Sequence, residues 1–229
     1  NPTILVPMIL KLPGGEAAGR VVDGDVSQVD ILPTIMDYLG RKPVQGLNGR
    51  SFLPSVRGPA PGAPRTLYFE TCLPENSFGW SALYGFVRGD RKYIQAPEPE
   101  LYDLKADPDE LENLAGTDSL ALAEAAGRFV SLRRDITPLG APHSSGVELD
   151  AENAQRLRAL GYIAGSLPVL KAPRKVRPDP KAMLRPLGGF LDGVVRESEG
   201  DYPAALESFA GVLRENPDNV FARLYRGYI

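Results

Sequence analysis

Four short segments between Thr66 and Leu104 alternate with a strand-like period, and the connections between them are short. Thr66–Thr71, Ala82–Val87, Arg91–Ala96 and Glu100–Leu104 each read as a strand. Gly89-Asp90 separates the middle two and supplies a glycine for the positive φ of a two-residue hairpin turn. Pro97-Glu98-Pro99 turns the chain into the last. Parallel neighbours need a crossover of about a dozen residues or more, so sequential strands on short loops imply a small antiparallel sheet.

The flanking segments have other periods. Ile4–Leu12 is an apolar run closed by Pro13-Gly14-Gly15, suited to a buried strand of a larger α/β sheet, with Pro7 placing it at an edge or bulge. Gly19–Val29 reads as a second extended piece. Asp30 is then the expected N-cap of a helix whose stripe is Ile31, Leu32, Ile35, Met36 and Leu39, with Gly40 as its stop. Asp107-Pro108-Asp109-Glu110 has the order of a capping box and predicts a helix start. A longer helix, about Ser119–Asp135, is expected to pack Leu120, Leu122, Ala126, Phe129 and Val130, and a short one is expected over Ala151–Leu160.

Prolines and glycines mark an exposed loop over Gly58–Pro64 and a linker over Pro168–Pro180 that carries Lys171, Arg174, Lys175 and Arg177. Beyond it, helices are expected over Ala182–Glu199 and Pro203–Asn216, and from Val220 onward. Gly193 and Gly227 recur at the tetratricopeptide period of about 34 residues. Gly200-Asp201-Tyr202 forms the turn, Ala205, Phe209 and Val212 share a face, and Pro217 closes the unit. This pattern resembles one full tetratricopeptide repeat and the opening of a second. Because a single repeat cannot bury its own face, an array cut mid-helix is expected.

Bulk properties exclude little. The formal net charge of -3 gives no general attraction to nucleic acid or acidic membranes. No aromatic residues interleave the basic cluster from Lys171 to Lys181, so a solvated linker is expected there. No apolar run reaches the roughly 18 residues of a membrane span, and the single cysteine, Cys72, excludes an intrachain disulfide.

Three stretches carry a family likeness. They are Val6–Gly14; Val26–Thr34 with Gly46–Ser51; and Arg88–Ile94 through Glu100–Leu104, Asp107-Pro108 and Glu112-Asn113-Leu114. In order and spacing they resemble the downstream part of sulfatases of the alkaline phosphatase superfamily, and Arg156–Tyr162 is similar to the tail of bacterial members joined to tetratricopeptide repeats. The resemblance implies sulfate ester hydrolysis by a formylglycine nucleophile, made from Cys or Ser in Cys/Ser-x-Pro-x-Arg, with a divalent cation, usually calcium. It also implies a periplasmic or extracellular setting. In that family the nucleophile and metal ligands precede the motif beginning near Val6, so no catalytic or metal residue is assigned here, and the chain alone is expected to be inactive.

The domain reading is therefore α/β, with residues 1–115 as the end of a catalytic domain including the small antiparallel sheet. A helical extension (116–165), a Pro/basic linker (166–181) and an all-α repeat segment (182–229) follow. Cys72-Leu73-Pro74 matches the start of the nucleophile motif, but Asn76 stands where Arg is required. His143 lies in a Pro/Ser/Gly loop without acidic neighbours. The loop Leu73–Trp80 joins two strands, and Asn76 and Trp80 are the candidate substrate contacts. Two alternatives stay open: a phosphodiesterase or phosphatase of the same superfamily, and a non-catalytic repeat module that binds a protein partner.

Overall fold

The computed structural model describes residues 4–42, 44–58, 64–136 and 177–229. The expected helix over Ala151–Leu160, the loop carrying His143, the Arg156–Tyr162 segment and the basic stretch before Arg177 lie outside the described residues.

The sheet forms as the alternation requires. Strands β1 (Thr66–Thr71), β2 (Leu83–Arg88), β3 (Arg91–Gln95) and β4 (Glu100–Asp103) make an antiparallel meander in sequence order. Arg88 pairs with Arg91 across the hairpin, and Gly89 takes φ 54° at the first turn position. The register aligns Phe86, Tyr93 and Leu101 as one cross-strand row. Helix α3 (Ser119–Ile136) covers that row with Ala125 and Phe129, and the Tyr93 and Phe129 rings lie 5.8 Å apart. Each large apolar side chain buried there contributes about 1.5–3 kcal/mol. Of the residues expected to pack from α3, Leu120 and Val130 face solvent instead. The buried stripe is rotated toward Ala121, Ala125 and Phe129, because small residues let the helix lie close to the sheet.

Residues 4–57 differ from expectation. Neither Ile4–Leu12 nor Gly19–Val29 is a strand. A strand needs a hydrogen-bonded neighbour, and the described residues provide none for them. Ile9 is 92% exposed. Helix α1 (Ile31–Tyr38) is present with Asp30 at its N-cap position, but Asp30 has helical φ/ψ as the last residue of a preceding 3₁₀ turn, Gln28–Asp30, and its side chain caps no amide of α1. The Asp30 carboxylate accepts from the Ser27 and Arg50 amides, each at 2.8 Å, and from the Arg65 guanidinium. Thr34 Oγ1 donates to the Asp30 carbonyl at 2.7 Å and accepts from the Phe52 amide at 3.1 Å, tying α1 to the start of α2 (Leu53–Arg57). A side chain at Gly49 would collide with the Val29 carbonyl, so this approach requires glycine. The α1 stripe of Ile31, Leu32, Ile35 and Leu39 stays exposed.

Asp107-Pro108-Asp109-Glu110 forms a turn rather than a helix. Glu110 has φ 59°, incompatible with helix, and in that conformation its Oε2 accepts from buried Lys92 Nζ at 2.5 Å. Asp107 accepts from the Glu112 amide, and Asp118 begins α3 by accepting from the Ala121 amide.

At the C-terminal end, α4 (Leu184–Ser198), α5 (Tyr202–Glu215) and α6 (Val220–Tyr228) pack in succession. Their core is Phe190, Ala205, Phe209, Val212 and Ala222. A Cβ on Gly193 would lie 2.6 Å from the Phe209 ring, so α4 and α5 approach through that glycine. Asp201 and Asn219 cap α5 and α6.

Candidate functional site

The loop between β1 and β2 contains the two side chains that the sequence marks for substrate. Within it lies a single π-helical turn, Pro74–Phe78, an uncommon form that occurs often at functional positions. Leu73 N–H donates to Thr71 Oγ1, Asn76 N–H to the Cys72 carbonyl at 2.9 Å, and Trp80 N–H to the Pro74 carbonyl at 3.1 Å. Gly79 ends the turn at φ 74°.

The structure separates the two candidates. Asn76 is exposed on the turn. Trp80 is 3% exposed, with its ring stacked on Phe78 at 4.6 Å. Among the described residues Trp80 is covered by packing, and its indole Nε1 has no hydrogen-bond partner. Phe78 meets Phe190 and Phe221 edge-on at 5.8 and 5.7 Å and so joins the helical core. The Phe78 carbonyl accepts from Asn216 Nδ2 at 2.8 Å, and Gly79 abuts Asp218. Sequence reading missed Phe78 and Asn216, since the residues that engage them lie far away in the chain.

The supposed linker also reaches this region. Ser81 N–H donates to the Pro178 carbonyl at 2.9 Å, and Arg177 pairs with Glu75 at 3.4 Å. The Asp179 carboxylate accepts from the Glu98 and Lys181 amides, and Lys181 Nζ bridges Asp179 to Glu100. Residues 177–181 are thus a docked strap, because their charges find partners on the sheet. Burial works to raise the Asp179 pKa, but these amides and the ammonium outweigh it and hold the carboxyl below its ordinary value. On the other sheet face, Arg133 Nη1 donates to Tyr68 Oη at 2.7 Å, and Tyr68 donates to Glu70. Burial and that carboxylate push the Tyr68 phenol up to about 12.

A family model described as N-sulphoglucosamine sulphohydrolase, C-terminal, matches residues 1–126, which take in the sheet and the π-helical turn. The chain belongs to this family. It is a C-terminal sulfatase segment of the alkaline phosphatase superfamily, and helices α4–α6 fall outside the matched range. It is similar to the multifunctional alkaline phosphatase superfamily protein PehA of Trinickia caryophylli, with 33% identity over 131 residues, covering 51% of this chain and 26% of that protein. Human arylsulfatase K is 35% identical over 119 residues, covering 48% of this chain and 22% of that protein. The phosphonate monoester hydrolase of Agrobacterium radiobacter is 30% identical with a TM-score of 0.43, covering 53% of this chain and 27% of that one. The sulfatase segment thus spans about a quarter of the length of these relatives.

The divalent cation and formylglycine implied by the family do not fit the described residues. No group of three or more His, Cys, Asp or Glu among them is arranged for a metal. Cys72, half-buried at the end of β1, is followed by Asn76 rather than Arg at the motif position. No helix among the described residues is long and apolar enough to cross a membrane.

Proposed function

We propose that this chain is the C-terminal part of a sulfuric ester hydrolase whose nucleophile and divalent-cation site, calcium and formylglycine, lie in sequence ahead of Asn1. The family match over residues 1–126 carries this reading. The uncovered apolar side chains of residues 4–39 support it, since a larger sheet is the natural cover for such a surface. In the whole enzyme, exposed Asn76 contacts the alcohol portion of the sulfate ester, and Trp80 supports the turn from beneath. The setting is periplasmic or extracellular.

The helices α4–α6 are the opening of a tetratricopeptide array that binds a protein partner. The close approach at Gly193, repeated by Gly227 at the tetratricopeptide period with open space above it, supports this. Adding the next 34 residues of coding sequence, where they exist, should raise the unfolding midpoint of α6; no change would count against an array.

The test of function is turnover by the whole protein. Hydrolysis of 4-nitrophenyl sulfate by the full-length enzyme, and none by residues 1–229 alone, is the expected result. A second reading, a phosphodiesterase or phosphatase of the same superfamily, is favoured by the similarity to the alkaline phosphatase superfamily protein PehA. Preference for 4-nitrophenyl phosphate or bis(4-nitrophenyl) phosphate over the sulfate would select it.

A further inference from the structure

We propose that Asn216 and Phe221 are positioning residues for the π-helical turn, and that through them the helical segment sets how Asn76 is presented to substrate. This rests on the sulfuric ester hydrolase reading above. A lone π-turn has poor intrinsic stability, so its persistence depends on what holds its ends. Here the contacts converge on its C-terminal end and flank. Asn216 Nδ2 donates to the Phe78 carbonyl at 2.8 Å, and the Phe78 ring sits edge-on to Phe190 and Phe221. Gly79 runs against Asp218 so closely that a Cβ there would lie 2.7 Å from the Asp218 Cβ. Arg177 holds the near side by donating to the Glu75 carbonyl at 3.3 Å and pairing with its carboxylate.

Asn76 in the same turn is exposed to solvent and takes no part in these contacts. The end of the turn is therefore gripped, and Asn76 is left open to meet a ligand. The gripped turn lies within the family-matched range, whereas Arg177, Asn216, Asp218 and Phe221 all lie outside it. An addition to the shared sulfatase segment has taken hold of one of its loops. A tether would need only the strap at residues 177–181. The Asn216 and Phe221 contacts hold the loop itself.

The test is Asn216→Ala in the full-length protein, read by amide hydrogen exchange and by kinetics with 4-nitrophenyl sulfate. The Asn76 and Trp80 amides, which close the turn, should exchange about tenfold faster, while the Phe86 and Tyr93 amides keep their wild-type rates. KM should rise about tenfold, with kcat held within about twofold, because only the placement of substrate is loosened. Phe221→Leu, which keeps apolar volume but removes the ring edge, should act in the same direction. Arg196→Ala, which removes an exposed α4 pair with Asp192, should change neither readout.

Unchanged exchange at Asn76 and Trp80 in a folded variant overturns the proposal. Acceleration spread evenly over the sheet, or loss of folding in both variants, also overturns it, by assigning the contact to general stability. If the unsubstituted enzyme turns over no sulfate ester, the hydrolase reading fails and the substrate role fails with it, while exchange still decides whether the helices grip the turn.

Discussion

At Asp30 a single carboxylate organises the N-terminal region. It is 0% exposed and accepts from two amides and Arg65, whose side chain is itself largely covered. Removing it leaves a guanidinium and two amides without their acceptor. Asp30→Ala should therefore cost about 3 kcal/mol, measured as a shift in the urea unfolding midpoint. Gly193 offers a sharper comparison. Gly193→Ala adds a methyl against Phe209, a fully buried ring with little room to retreat, and should destabilise by about 1–3 kcal/mol. Gly227→Ala meets nothing and should be neutral or slightly stabilising, since alanine is the better helix former. Parallel unfolding curves of the two variants check the pair; equal effects would show that the notch at Gly193 is not tight.

Among the elements, the strap Arg177–Lys181 joins the sheet to α4 through one carboxylate. Asp179 has a folded-state pKa below its ordinary 3.8. A depressed carboxyl contributes stability that is fully present above its unfolded value and is lost as pH falls through the folded one. The midpoint difference between wild type and Asp179→Asn should therefore be constant above about pH 5 and shrink on acidification below about pH 4. A thermal unfolding series in pH measures it, and a difference that persists undiminished at pH 2 would remove the strap's electrostatic role. The strands and the three C-terminal helices are legible from sequence because their signals are local: period-2 alternation, a Gly-Asp hairpin turn, the Gly200-Asp201-Tyr202 turn, the shared face of Ala205, Phe209 and Val212, and Pro217 as a breaker. Ile4–Leu12 forms no strand among the described residues, because apolar content cannot by itself supply the hydrogen-bonded neighbour that a strand needs. Asp107–Glu110 had every cap letter of a helix, yet the ion pair to Lys92 set Glu110 at positive φ. The site was half legible. Loop position and residue type pick out the β1–β2 loop that carries Asn76, but the packing of Phe78, on which the Trp80 ring stacks, rests on Phe190 and Phe221, more than a hundred positions away.

For the whole molecule, packing is uneven. The sheet with α3 and the helices α4–α6 each close a core, whereas Leu5, Val6, Ile9, Val21, Ile31, Leu32, Ile35 and Leu39 remain open to solvent. Scattered exposed apolar residues are ordinary, but this density within forty residues marks a surface meant to be covered. The Asp30 network gives the region a defined shape without a core of its own, as a segment would need if it docks on a larger body. The purified 229-residue chain should consequently bind an apolar dye such as ANS and self-associate in a concentration-dependent way. Leu32→Glu with Ile35→Lys should suppress both, because the opened stripe of α1 is interrupted. The free energy of unfolding should change by no more than about 0.5 kcal/mol, since neither side chain is buried. A stability loss of several kcal/mol would instead mean that the stripe is already covered within this chain. On the proposed hydrolase reading, the same two substitutions in the full-length protein should do the opposite: leave it less stable and lower any sulfate ester turnover. That reversal between short and long chains, followed by sedimentation and thermal unfolding, separates a surface that docks on the rest of a hydrolase from one that is merely exposed.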